Sequence, residues 1–117
     1  MSYEIVGALF EVFNKLGFGY SEKFYQKAVE EILTFLKIPF KREQKFEVIL
    51  PGGKKMIVFV DFLINGKIIL EIKRGERFLK GNVDQLAAYL KAANLKLGIL
   101  ANFTKNGVQF KRIVNSY

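Results

Sequence analysis

Two apolar runs, Met56 to Ile64 and Lys67 to Lys73, joined through Asn65-Gly66, constrain this chain more than any other feature. Their hydrophobic residues occupy successive rather than alternate positions, so both strands need cover on both faces. That requirement predicts a central sheet with helices on either side. Residues two apart on a strand share a face, so Glu71 and Lys73 emerge side by side among Ile68 to Leu70 and Ile72. Charge buried in such a strand is costly unless something compensates it. Asp61 interrupts the first run in the same way.

Hairpin geometry decides whether Asp61 can join the other two. A two-residue loop at Asn65-Gly66 places residue 61 opposite 70, on the face away from Glu71. A three-residue connection reverses that. A type I turn over Leu63 to Gly66, with Gly66 left-handed as a bulge, sets residue 61 across from 69 and on the face of Glu71. A functional cluster of these three residues therefore predicts a bulge at Gly66.

Around this hairpin the hydrophobic period changes several times. From Ser2, the residues Ile5, Leu9, Val12, Phe13 and Leu16 recur at helical spacing, and Gly17-Phe18-Gly19 ends the pattern. Ser21 can cap a second helix carrying Phe24, Tyr25, Ala28, Val29, Ile32, Phe35 and Leu36, which ends before Pro39. Phe46, Val48 and Leu50 then alternate as a strand, and Pro51-Gly52-Gly53 turns into the first central strand. A third helix, about Asn82 to Ala93, presents Val83, Leu86, Ala87 and Leu90, followed by a strand over Lys96 to Phe103 and a last one over Val108 to Val114. The strand, helix, strand step has the length of a right-handed crossover, which predicts that its two strands are parallel.

With 117 residues, half of them hydrophobic and 15% aromatic, the chain suits a single domain over residues 1–117. It contains no cysteine and no histidine, which excludes disulfides, thiolate metal sites and Ser-His-Asp catalysis. A metal would need oxygen ligands, which suits Mg2+ or Mn2+. The formal charge of +8 favours an anionic partner, with nucleic acid first among them. No apolar run approaches the ~20 residues of a membrane span. The N-terminus lacks a signal-peptide pattern, so the expected location is cytoplasmic.

The order helix, helix, three strands, helix, strand, strand, with Asp61 and Glu71-Ile72-Lys73 on the second and third strands, resembles the PD-(D/E)XK nuclease superfamily. Gly19-Tyr20-Ser21-Glu22-Lys23-Phe24-Tyr25 is similar to the GxxExxY signature of one small branch, whose layout covers nearly the whole chain. Gln85 with Tyr89 resembles the QxxxY element of RecB-like members. Val60 stands where the superfamily's proline precedes the first acid, a departure that leaves the chemistry intact because the proline is not a ligand. Each motif alone is common by chance; their conjunction in order is specific.

The resemblance implies a restriction-endonuclease-like α/β sandwich with a central mixed sheet, and a Mg2+- or Mn2+-dependent nuclease acting on nucleic acid, DNA first. Asp61 and Glu71 would be the central metal ligands, joined by the Ile72 carbonyl and by Glu22 directly or through water. Lys73 would steer the attacking water or stabilise developing charge. Gln85 would hold Lys73 or a water, Tyr25 would orient Glu22 or touch phosphate, and Tyr89 would support the site or stack on a base. Arg74, Arg77 and Lys80 are the leading phosphate contacts, ahead of Lys91, Lys105, Lys111 and Arg112. So small a chain leaves little room to read sequence, which points to structure-selective or nonspecific cleavage, with a homodimer as one way to enlarge the contact surface.

Plain alternatives stand beside these roles. Glu22 is favoured near a helix N-terminus by the helix dipole alone, Tyr25 and Tyr89 suit an amphipathic core, and Gln85 suits a solvated helix face. Glu71 and Lys73 could be a same-face ion pair. For the whole chain, the alternative is a nucleic-acid-binding or scaffold module that keeps the fold without cutting.

Overall fold

The structure, a computed structural model, describes residues 1–115; the last two positions of the expected domain lie outside the described residues. The chain forms α1 (Ser2–Leu16), α2 (Glu22–Phe35), β1 (Phe40–Ile49), β2 (Lys55–Ile64), β3 (Ile68–Arg74), α3 (Lys80–Ala93), β4 (Leu97–Thr104) and β5 (Gly107–Val114). The five strands lie in the order β1-β2-β3-β4-β5. All neighbours are antiparallel except β3 and β4, which are parallel across the crossover through α3. This is the expected α/β sandwich with a mixed sheet.

Local sequence sets the helix limits. The stripe Ile5, Ala8, Leu9 and Val12 is buried, and α1 ends where Gly17, at φ 71°, donates its N–H to the Phe13 carbonyl at 2.8 Å. Ser21 caps α2 by accepting the Phe24 N–H at 3.1 Å. The buried face of α2 is Tyr25, Gln26, Val29 and Leu33, with Ala28 and Ile32 half-buried. Phe24, Phe35 and Leu36, expected in that stripe, are exposed because the buried line passes through Leu33 instead. Ala87 is likewise exposed, since α3 buries only Leu86 and Leu90.

Helices cover the sheet on both sides. Beneath α1 and α2 lie Phe62, Ile64, Leu70, Ile72, Ile99, Ala101 and Phe103. Beneath α3 lie Val60, Ile69 and Leu100, with Phe46 and Leu63 packed beside them. β1 begins at Phe40, well before the alternation at Phe46 that marks it in the sequence. Its first half, Lys41-Arg42-Glu43-Gln44-Lys45, is polar because β1 is an edge strand, where charge discourages pairing with another chain.

The β2–β3 turn differs in detail from expectation. Asn65 and Gly66 both have positive φ, 54° and 66°, and Lys67 donates its N–H to the Ile64 carbonyl at 3.0 Å, which makes a turn of the I′ kind. Ile64 nevertheless pairs with Ile68, so Lys67 is the extra residue and the bulge falls one position after Gly66. Continuing this register sets residue 61 across from 71 rather than 69. The change is by two positions, so Asp61 keeps the face of Glu71.

A second irregularity sits at Asp61 itself. Phe46 and Val60 pack on the α3 side, whereas Phe40 and Phe62, at positions of the same parity, pack under α1 and α2. The two strands therefore exchange faces between these residues. Glu43 and Asp61 form the level that the β1–β2 ladder skips, and Glu43 has φ 48°. Such a break re-aims the side chain it carries.

Candidate active site

Asp61 stands at a fork. Pairing between β2 and β3 stops at Phe62 and Leu70, and β3 continues to Arg74 alongside β4 alone. The Ile72 N–H, left without a β2 partner, donates to Asp61 Oδ2 at 2.7 Å. A strand residue's N–H and C=O leave on the same edge, so the Ile72 carbonyl opens into the same fork. The Asp61 carbonyl accepts from Arg42 Nε at 3.1 Å. Arg42 also donates to Gln26 Oε1 at 2.7 Å and to Glu30 Oε2 at 3.2 Å, and its guanidinium lies 4.6 Å over the Phe62 ring. This brace ties the irregular backbone of Asp61 to α2.

Glu71 is only 6% exposed. Burial, then the charge of Asp61 and a hydrogen bond between the two carboxyl groups, push its pKa up to about 9, while Lys73 pulls the other way. Tyr89 reaches the same region: its phenol pKa is raised by burial and by the charge of Glu71, and the Gln85 side chain opposes that shift through a hydrogen bond. Tyr89 is half-buried and Gln85 exposed, one turn apart on α3.

Lys73 is half-buried and lines a cleft of about 470 Å³ with Glu22, Arg74, Arg77, Asn82 and Asn102. The Arg74 guanidinium lies 4.8 Å over the Phe18 ring, which fixes it beside the cleft. Lys80 is exposed at the start of α3 and is not among the cleft residues. A larger cavity, about 1120 Å³ between α1 and α2, holds none of the expected site residues.

Two expectations change. Tyr25 cannot touch phosphate, because it is fully buried, stacks on Phe103 at 4.1 Å and donates its hydroxyl to the Gly17 carbonyl at 2.7 Å. It clamps the loop that leads into Glu22. Glu22 lines the cleft beside Lys73, but among the described residues no three acidic side chains come together as a metal-binding group, so it does not join Asp61 and Glu71 directly.

Two features escaped the sequence. Asn102 is 1% exposed on β4, level with Lys73, and donates Nδ2 to the Gly75 carbonyl at 3.2 Å, holding the turn after β3. An amide inside the apolar run Leu97 to Phe103 was its available signal. The Arg42 brace had none, since its partners lie on another element.

The donor set fits a hard divalent cation. It is all oxygen, and Asp61 and buried Glu71 bring two carboxyl groups against the one ammonium of Lys73. Asp61, Glu71 and the Ile72 carbonyl are the groups that could hold one.

Comparison with known proteins agrees with this architecture. The crystal structure of SSO0001 is 25% identical and superposes with a TM-score of 0.68, covering 81% of this chain and 51% of that one. This chain therefore spans about half the length of that protein. No curated protein matches. Residues 1–113 match the family model of the PD-(D/E)XK nuclease superfamily, and the chain belongs to that superfamily.

Proposed function

We propose that the protein is a divalent-metal-dependent nuclease of the GxxExxY branch that hydrolyses phosphodiester bonds of nucleic acid, DNA first. The observation that carries this reading is Asp61, held by the Ile72 N–H at 2.7 Å, brought to buried Glu71 at the β2–β3 fork, with Lys73 two residues on. A Mg2+ or Mn2+ ion held by Asp61, Glu71 and the Ile72 carbonyl would supply a more acidic attacking water and offset charge on the phosphate.

The chain's own residues do the rest. The Ile72 N–H fixes one Asp61 oxygen at the fork. Lys73 places a positive charge between the fork and the cleft, where it orients the nucleophile or stabilises the phosphorane-like transition state. Gln85 and Tyr89 close the α3 side, with Gln85 available to a water or to Lys73. Glu22, across the cleft, acts through water, and Arg74 and Arg77 hold flanking phosphates.

The test is incubation of the purified protein with labelled single-stranded DNA, duplex DNA and structured RNA in magnesium, manganese or EDTA. Cleavage in a metal and none in EDTA is expected, with DNA cut faster than RNA. Binding without cleavage in every metal would replace the nuclease by a nucleic-acid-binding module.

A further inference from the structure

Beyond the fork, β1 and β2 continue as a two-stranded arm. β2 runs antiparallel to β3, so its segment before Asp61 points to the same end of the sheet as Glu71 to Arg74, yet it has lost its pairing with β3. One face of this arm packs toward α3 through Phe46 and Val60. The register puts Lys45 opposite Phe59, Glu47 opposite Ile57 and Ile49 opposite Lys55 on the other face. Helices leave that face uncovered: Phe59 is 61% exposed, Ile57 52% and Ile49 69%.

A row of large apolar side chains standing in water marks an interaction site. We infer that this face of the arm binds a nucleic-acid strand with unpaired bases and leads it to the fork. Three observations select that occupant. Lys45, Lys54 and Lys55 border the row and are exposed, against one acid, Glu47, which pairs with Lys55 at 3.7 Å, so the row keeps a net positive charge that suits an anionic partner. A phenyl ring and aliphatic side chains offer contact to base faces, which are open in a single strand and hidden in a duplex stack. The arm's base adjoins the start of α2 beside the cleft, where Lys23, next to Glu22, meets Glu43 at 3.6 Å. A second copy of the chain fits less well, since each copy carries +8.

This inference extends the nuclease reading to its substrate class but has its own test. Anisotropy of a fluorescein-labelled DNA strand of about 20 nucleotides, and of its blunt duplex, is measured in EDTA with wild type, the double variant Ile57→Ala/Phe59→Ala and Phe59→Tyr. Wild type should bind the single strand more tightly than the duplex. The double variant should lose about tenfold on the single strand and little on the duplex, and Phe59→Tyr should retain binding. Photocrosslinking of a bromodeoxyuridine-substituted strand to wild type reads the contact without any substitution, and crosslinks should map to the arm.

Equal affinity of wild type and the double variant for the single strand, crosslinks confined to other elements, or no binding by wild type would overturn the inference. So would sedimentation in which the double variant turns a dimer into a monomer, because the row would then be a self-association surface. Binding through the arm with no cleavage removes the nuclease reading alone; cleavage with arm-independent binding removes this inference alone.

Discussion

Replacing Glu71 by glutamine should stabilise the metal-free protein, and by more as the pH rises. In the unfolded chain residue 71 ionises near 4.5, whereas in the fold burial and Asp61 keep its proton on until about 9. Below the lower value both states are protonated and the residue contributes no pH dependence. Between the two values the unfolded chain sheds a proton that the folded chain retains, so stability falls as pH rises, by up to about 1.4 kcal/mol per pH unit. From about pH 5 to about pH 8 the loss accumulates to roughly 4 kcal/mol. A glutamine side chain has nearly the same shape and cannot ionise, so the Glu71→Gln variant lacks this slope. Thermal melts of both proteins in EDTA across that range should diverge with pH, the variant gaining on the order of 10 °C over wild type at the upper end. Parallel melting curves would refute the reasoning, since every other titrating group is common to the two proteins.

Other outcomes follow from the same geometry. Magnesium or manganese at about 100 times its dissociation constant should stabilise wild type by about 2.7 kcal/mol in a thermal melt, and should leave Asp61→Asn unmoved. Tyr25→Phe should cost about 1 kcal/mol in urea denaturation, because it strips the Gly17 carbonyl of its partner, and should lower activity without changing duplex affinity. Ser21→Ala should cost about 1 kcal/mol by removing the α2 cap. Arg42→Ala should destabilise by about 1 to 3 kcal/mol, since it leaves the Asp61 carbonyl, Gln26 and Glu30 without their shared donor.

The sequence made the order of elements and the central pair legible for physical reasons. Apolar residues at successive positions in β2 and β3 demanded cover on both faces, and the parity of the turn put Asp61 with Glu71 even though the bulge fell at Lys67 rather than Gly66. Ser21 declared its cap because the hydroxyl acts on a neighbour three residues away. Tertiary partners were invisible. Tyr25 sits beside Glu22 in the sequence and suggested a shared site, but only the fold shows that Gly17 and Phe103 claim it. The face exchange at Asp61 depends on Glu43 and on Arg42, in a polar stretch without the alternation that marks the strand from Phe46 on. The exposed row on the arm was equally hidden, since a pattern apolar on both faces does not say where the helices end.

The fork is the centre of the proposed chemistry, and single-turnover cleavage of a labelled DNA strand in magnesium tests it most directly. Wild type, Asp61→Asn and Glu71→Gln would be compared in identical preparations. Cleavage by wild type, abolished by EDTA and reduced at least about 100-fold in both variants while strand binding persists, is the predicted result. Cleavage at wild-type rate in either variant would contradict it, because phosphodiester hydrolysis would then be proceeding without the two carboxylates that define the site.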